Sequence, residues 1–118
     1  ARSVACYQGA GLQHAAFACQ DLLGLLDNQP RADSLSLPVP ANYYDALLAR
    51  FGGTAQGALM QSQQILYDRE VAGGEFLHRY TWPFSEGRFF FELTERRNGY
   101  TQYGAVNAAV RLSAMQYR

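Results

Sequence analysis

The run Arg88-Phe89-Phe90-Phe91-Glu92-Leu93-Thr94-Glu95-Arg96-Arg97 is the most informative stretch of the chain. Its aromatic and alternating character predicts a β-strand whose side chains point in turn to opposite faces of a sheet. Glu92 follows three phenylalanines directly, so it lies deep in the strand rather than at a loop. A buried carboxylate without a partner is strongly unfavourable. The sequence therefore predicts an arginine or a metal cation beside Glu92, and a metal would require a histidine close by.

Two more strands are predicted upstream of this run, over residues 65–69 and 75–82. Turn residues lie between successive strands: Gly73-Gly74 in the first connection and Ser85-Glu86-Gly87 in the second. We therefore expect three consecutive strands joined by short turns. Two helices are predicted before them. The first covers residues 43–51, between an Asn42 N-cap and a terminating Gly52-Gly53, and the second covers residues 54–64.

The N-terminal region begins with Gly9-Ala10-Gly11 and predicts a strand over residues 12–19, in which His14 shares a face with Leu12, Ala16 and Ala18. A short leucine-rich helix follows, capped by Asp21 or Gln20, and then a loop over residues 28–33. An edge strand is predicted over residues 34–40, because it contains Pro38 and Pro40. A closing helix is predicted over residues 105–117. This order predicts an α+β fold built on a βαβββ unit, with a curved mixed sheet covered by helices on one side.

Size and charge limit the classes of protein. A chain of 118 residues has room for one domain, and we assign residues 1–118 to it. Ten basic residues, all arginine, balance ten acidic residues, so no long-range field indicates binding to nucleic acid or an anionic membrane. No apolar run is long enough to span a membrane, and Cys6 and Cys19 are too few for a disulfide scaffold. These features predict a cytoplasmic protein.

His14 and His78 are the only histidines. Spacing alone favours a core histidine for His14 and an ion pair for Glu92, because their separation follows no known motif. His78 shares a face with Phe76 and Tyr80, which fits an aromatic-lined core position, a third metal ligand or a substrate contact. Two imidazoles and one carboxylate are also the ligand set of non-haem iron(II).

Gly9-Ala10-Gly11-Leu12-Gln13-His14-Ala15-Ala16-Phe17 resembles a strand of the 4-hydroxyphenylpyruvate dioxygenases, and residues 88–97 resemble a second strand of that family. Residues 37–47 and 65–68 resemble two further segments, in the same order. The resemblance implies the vicinal-oxygen-chelate fold, with His14 and Glu92 as two ligands of a divalent metal. Iron(II) is the expected metal, and Mn, Co, Mg and Zn are alternatives.

The same resemblance implies that the third ligand is a histidine of a preceding paired module, with His78 as the alternative. It makes His78, Phe90, Tyr103 and Asn107 candidate substrate-binding residues, and a small aromatic or 2-oxo acid the expected substrate. The chain departs from the family pattern at His78, where the family has a glutamine, and after Tyr103. No catalytic residue is assigned.

Residues 67–78 and 99–112 also resemble the dioxygenase-like C-terminal half of bacterial two-domain 3-dehydroshikimate dehydratases. Together with Ala1 at the start, this predicts a C-terminal fragment of a longer protein. Three functions stay open: a metal-binding module of a dioxygenase-like enzyme, an accessory or non-catalytic domain of a 3-dehydroshikimate dehydratase, and a stand-alone homodimeric glyoxalase-type protein.

Overall fold

The computed structural model describes residues 4–8, 13–27, 36–53, 56–82 and 89–116. Its five strands are β1 (Val4–Gln8), β2 (Gln13–Ala18), β3 (Leu66–Arg69), β4 (Glu75–Tyr80) and β5 (Phe89–Arg97). Its four α-helices are α1 (Leu22–Asp27), α2 (Ala41–Phe51), α3 (Gly57–Ser62) and α4 (Ala108–Gln116). None of the helices in these ranges is long and apolar enough to cross a membrane.

The strands form one mixed sheet in the order β1-β2-β5-β4-β3. β2 and β5 are parallel, whereas the other three pairs are antiparallel. The parallel pair lies inside the sheet and joins the N-terminal hairpin to the three-stranded C-terminal part. The expected mixed sheet is therefore confirmed, and its central pairing brings together the two strands that carry His14 and Glu92.

Helices α1, α2 and α3 cover one face of the sheet, as expected. The core between them and the sheet consists of large side chains that are almost fully buried: Leu22, Leu26, Tyr44, Met60, Ile65, Tyr67 and Leu77. Burial of such side chains contributes about 1.5–3 kcal/mol each before the loss of conformational entropy is counted. This face is therefore the main source of stability.

The opposite face is only partly covered. There α4 packs its Val110, Ala114 and Met115 against a second cluster, which contains Leu66 and Phe90. A short 3₁₀ turn, Ala105–Asn107, precedes α4, so the closing helix predicted over residues 105–117 is confirmed with a later start. Within the described ranges, α4 is the only helix on this face and covers part of it.

Several predicted boundaries were wrong. The edge strand predicted over residues 34–40 is reduced, within the described residues, to a bridge between Ser36 and Thr81, because Pro38 and Pro40 have no N–H to extend it. Helix α2 begins at Ala41 after Pro40, without a side-chain cap. The Asn42 cap was therefore misplaced.

Other differences concern length. The helix predicted over residues 54–64 is the shorter α3, and β1 was not predicted. Asp21 does cap α1, because its Oδ1 accepts a hydrogen bond from the Gly24 N–H at 3.1 Å. Gly9-Ala10-Gly11, the loop at 28–33, the 85–87 turn and Arg88 lie outside the described residues.

Glu95 connects the sheet to α1. Its side chain is only 5% exposed, and its Oε1 accepts a hydrogen bond of 2.8 Å from the first backbone N–H of the helix, at Leu22. Its other oxygen accepts from Arg97 Nε. We expect Glu95→Ala to lower the free energy of unfolding by about 1–3 kcal/mol, since the Leu22 N–H would lose its partner in a buried position.

Glu95→Gln is the matched control in urea denaturation. The amide oxygen can still accept from Leu22, so this variant should lose clearly less stability than Glu95→Ala. An equal loss in both variants would assign the effect to the Arg97 pair instead of the helix.

Candidate functional site

The parallel pairing of β2 and β5 places His14 and Glu92 on the open face of the sheet. Ala16 pairs with Glu92 and His14 pairs with Phe90, so the two polar side chains are diagonal neighbours. His14 Nε2 lies 3.3 Å from Glu92 Oε1, and the two side chains are 11% and 7% exposed. The structure thus brings together the two residues that the resemblance gave as metal ligands.

His78 contacts the other oxygen of the same carboxylate. It lies on β4, opposite Thr94 of β5, and its Nδ1 is 3.0 Å from Glu92 Oε2. Its side chain is fully buried. Glu92 is therefore held between two imidazoles, one partly accessible and one inside the protein.

A chain of hydrogen bonds continues behind His78. Asn107 Nδ2 lies 2.9 Å from His78 Nε2 and also donates to the Tyr67 carbonyl at 3.2 Å. Tyr43 Oη donates to Asn107 Oδ1 at 3.0 Å and accepts from the Tyr67 N–H at 2.9 Å. An amide NH₂ can only donate, so His78 Nε2 accepts and Nδ1 carries the hydrogen that is donated to Glu92.

This network determines the charge state of Glu92. Burial alone would raise the pKa of the carboxyl, but the hydrogen bonds from His14 and His78 outweigh burial and lower the pKa to about 2. Glu92 is therefore an anion throughout the physiological pH range. A permanently ionised, buried carboxylate is suited to bind a cation.

A cavity of about 710 Å³ opens in front of this pair. Its wall combines the two polar side chains with aromatic, small and arginine residues: His14, Ala16, Ala18, Phe76, Tyr80, Phe90, Glu92, Thr94, Arg96, Tyr103, Gly104, Ala105, Ala108 and Arg111. The volume is in the range of small-molecule sites. Among the described residues of this wall, Glu92 is the only carboxylate.

The four candidate substrate-binding residues occupy different places. Phe90 lines the cavity and stacks on the His14 ring, with centroids 4.9 Å apart and an interplanar angle of 7°. Tyr103 lines it too, but is 80% exposed. His78 and Asn107 lie behind the wall, buried to 0% and 3% exposure, where they position Glu92.

The donor pair fits a divalent cation in type and in spacing. Imidazole nitrogen and carboxylate oxygen suit Fe, Mn, Co and Zn. Two such ligands at about 2.0–2.2 Å from one cation lie about 3.0–3.5 Å apart, and His14 Nε2 and Glu92 Oε1 are separated by 3.3 Å. His78 fixes the second oxygen of Glu92 by a hydrogen bond. Metal-binding carboxylates are commonly oriented in this way by a hydrogen-bond partner outside the ligand set.

The described part of the chain does not supply a complete ligand set. No group of three histidine, cysteine, aspartate or glutamate side chains there has an arrangement able to hold a metal ion. His78 uses one ring nitrogen for Glu92 and the other for Asn107. A third ligand of a site at His14 and Glu92 would come from elsewhere.

Three residues of the site escaped prediction from the sequence. Tyr43 was placed only at the start of a predicted helix, and nothing marked Arg111 as facing a cavity. Gly104 was noted only as part of a resemblance. Its φ of 71° lies in the left-handed region, which glycine adopts without strain. The helical spacing of α4 was the only available signal for Arg111, and it indicated the helix but not the side of the sheet.

No protein-family model matches the chain. Among curated proteins, it is 45% identical over 116 residues to the 3-dehydroshikimate dehydratase of Pseudomonas aeruginosa and 44% identical over 116 residues to that of Pseudomonas putida. These matches cover 98% of the chain. The chain spans only 18% of the length of either relative.

Two solved structures resemble the fold. One is a xylose isomerase-like TIM barrel/4-hydroxyphenylpyruvate dioxygenase fusion protein, with a TM-score of 0.81 and 44% identity over 89% of this chain and 17% of that chain. The other is a triple mutant of 4-hydroxymandelate synthase from Streptomyces coelicolor, with a TM-score of 0.71 and 27% identity over 88% of this chain and 29% of that chain.

Together, the fold and these likenesses define the class: the chain has the vicinal-oxygen-chelate fold and is similar over most of its length to 4-hydroxyphenylpyruvate-dioxygenase-like proteins. Within that class, its curated relatives are bacterial 3-dehydroshikimate dehydratases. Both steps of the recognition made from the sequence are confirmed.

Proposed function

We propose that this chain is the divalent-metal-binding C-terminal module of a longer, 3-dehydroshikimate-dehydratase-like protein, with His14 and Glu92 as two of three metal ligands. The observation that carries the proposal is the pair itself. Two ligand-type side chains from strands far apart in sequence meet at 3.3 Å on the wall of one cavity. The third ligand is a histidine of another module, and iron(II) is the first candidate metal.

The surrounding residues have defined roles in this proposal. Glu92 Oε1 and His14 Nε2 bind the cation, while His78 holds the second carboxylate oxygen and Asn107 fixes His78. Phe90 fixes the His14 ring by stacking and, with Tyr80, limits access of water. When bound, the metal would supply Lewis-acid or oxygen chemistry to a ligand in the cavity.

In such a protein, the dehydration step belongs to another domain, and this module has an accessory role in stability, assembly or regulation. The likeness to two 3-dehydroshikimate dehydratases over nearly the whole chain supports this role. A dioxygenase acting on a 2-oxo acid is the second candidate, supported by the likeness to 4-hydroxymandelate synthase and by the aromatic cavity. The cytoplasmic location stays a prediction.

Metal titration tests the proposal. We expect the complete gene product to bind about one equivalent of Mn²⁺ or Co²⁺ in calorimetry, and the 118-residue chain to bind it more weakly. His14→Ala in the complete product should reduce the affinity by about 100-fold or more, because loss of even an outer partner of a ligand costs about 10–100-fold.

Three results would change this picture. Retention of stoichiometric metal by His14→Ala would refute the ligand assignment. Tight binding by the short chain as a dimer would support the homodimeric glyoxalase-type alternative, in which two copies complete the site. Tight binding by the short chain as a monomer would place the third ligand within these 118 residues, with His78 as the candidate that must then release Asn107 or Glu92.

A further inference from the structure

Tyr43 of α2 reaches the outer edge of β3, the last strand of the sheet. Its ring packs against both core clusters, the one under the helices and the one beside α4. Its hydroxyl accepts a hydrogen bond of 2.9 Å from the Tyr67 N–H. Burial raises the pKa of Tyr43 to about 12, so the hydroxyl keeps its hydrogen and donates it to Asn107 Oδ1 or to the Tyr67 carbonyl, each 3.0 Å away.

The same strand sets the orientation of the Asn107 amide. Its Nδ2 lies 3.2 Å from the Tyr67 carbonyl and 2.9 Å from His78 Nε2, while its Oδ1 faces the Tyr43 hydroxyl. Rotation of the amide by half a turn would bring two acceptor oxygens together, because a backbone carbonyl cannot donate. The backbone of β3 therefore decides which end of the amide meets His78.

This chain of hydrogen bonds holds a hydrogen in place and does not pass a proton on. The amide of Asn107 accepts through its oxygen and donates through its nitrogen, and it does not ionise. His78 therefore keeps Nε2 as an acceptor and directs its Nδ1–H at Glu92 Oε2, 3.0 Å away. His78 and Asn107 are 0% and 3% exposed, which keeps water from replacing either partner.

We propose that Tyr43 is a positioning residue of the metal site. Together with Asn107, it imposes the donor and acceptor pattern of the β3 backbone on the ring of His78. Glu92 then receives a hydrogen bond at Oε2 in every molecule and keeps Oε1 for a cation. The statement about the cation rests on the proposed function, whereas the orientation of His78 does not and is measured on the metal-free chain.

The tautomer of His78 is measured by NMR of its ring nitrogens. The chain has only two histidines, so ¹⁵N-labelled histidine gives separate signals for each ring in a sample treated with a chelator. In the wild type we expect the Nδ1 signal of a protonated ring nitrogen and the Nε2 signal of an unprotonated one. Asn107→Asp presents an acceptor instead of a donor to His78, so the hydrogen should move to Nε2.

Tyr43→Phe removes the hydroxyl and keeps the ring. Asn107 Oδ1 and the Tyr67 N–H then lose the partner that they share, so the amide is held less firmly and His78 should show both tautomers. In the complete gene product, Tyr43→Phe should also weaken the binding of Mn²⁺ by about tenfold or more, as the loss of an outer partner of a ligand does.

Tyr44→Phe is the matched control, because it removes a buried tyrosine hydroxyl at the next position of the same helix. The Tyr44 hydroxyl donates to the Ile65 carbonyl at 2.8 Å rather than to the amide behind His78. We expect this variant to lose stability but to keep the His78 signals and the Mn²⁺ affinity of the wild type.

The proposal is overturned if Nε2 of His78 carries the hydrogen in the wild type. It is also overturned if folded Tyr43→Phe keeps the His78 signals or the Mn²⁺ affinity seen with Tyr44→Phe. If Tyr43→Phe does not fold, the spectra of the wild type and of Asn107→Asp decide. The expected spectra without any metal binding would refute the ligands of the proposed function and still support the orientation of His78.

Discussion

Gly104→Ala is expected to lower the free energy of unfolding by about 3 kcal/mol or more. Gly104 has a φ of 71°, and a left-handed conformation costs an L-residue about 1–2 kcal/mol. A Cβ at this position would also lie 2.7 Å from Phe76 Cε2 and 3.0 Å from His78 Cε1. Overpacking of this kind adds about 1–3 kcal/mol.

The neighbouring rings cannot move aside easily. Phe76 is 1% exposed and stacks on Tyr100, with centroids 4.9 Å apart, while His78 is tied to Glu92 and Asn107. A shift of either ring would disturb the carboxylate that we propose as a metal ligand. We therefore also expect weaker metal binding by Gly104→Ala.

Gly99→Ala is the control for backbone strain alone. Gly99 has a φ of 77°, and a Cβ there would meet no atom within 4 Å. In guanidinium denaturation, Gly99→Ala should lower the free energy of unfolding by about 1–2 kcal/mol. If Gly104→Ala lowers the free energy of unfolding no more than Gly99→Ala does, the side chains of Phe76 and His78 are able to move away from the added methyl group.

Glu92→Ala is expected to lower the free energy of unfolding by about 3–5 kcal/mol, as measured in the presence of a chelator. Glu92 links His14 and His78, and its removal leaves the fully buried Nδ1 of His78 without its partner. Each imidazole loses the acceptor of one N–H, and a buried N–H without an acceptor costs about 1–3 kcal/mol. Metal binding by the complete gene product should be lost as well.

Glu92→Gln separates the two effects. The amide keeps the shape of the side chain and an oxygen acceptor, so it should retain more stability than alanine. It removes the anion, so the affinity for Mn²⁺ or Co²⁺ should still fall strongly. Metal binding by Glu92→Gln at the wild-type affinity would show that the carboxylate is not a ligand.

The sequence predicted the strands of the site and their faces well. The alternation of side chains in β2 and β5 placed His14 and Glu92 correctly within each strand, because a period of two leaves little freedom once an apolar face is recognised. Their contact was not predictable from the pattern. It depends on the parallel pairing of β2 with β5, and only resemblance to a family indicated it.

The remaining errors also have physical reasons. β1 is short, and its residues form a strand because they pair with β2 rather than because of their own composition. The predicted cap of α2 was wrong. Asparagine is a preferred capping residue, which favoured Asn42, whereas the chain enters the helix directly from Pro40. Arg111 was missed because helical spacing indicates which residues share a face but not what that face meets.

The parallel pairing of β2 and β5 has a consequence for how the protein is made. Thr94 contacts the Phe17 carbonyl across 77 residues of sequence, so synthesis leaves β2 with an open edge until β5 emerges. Closing so long a loop delays folding. The two proposed ligands therefore meet only when most of the chain has been translated, and a chain truncated before β5 would be exposed to aggregation through that edge.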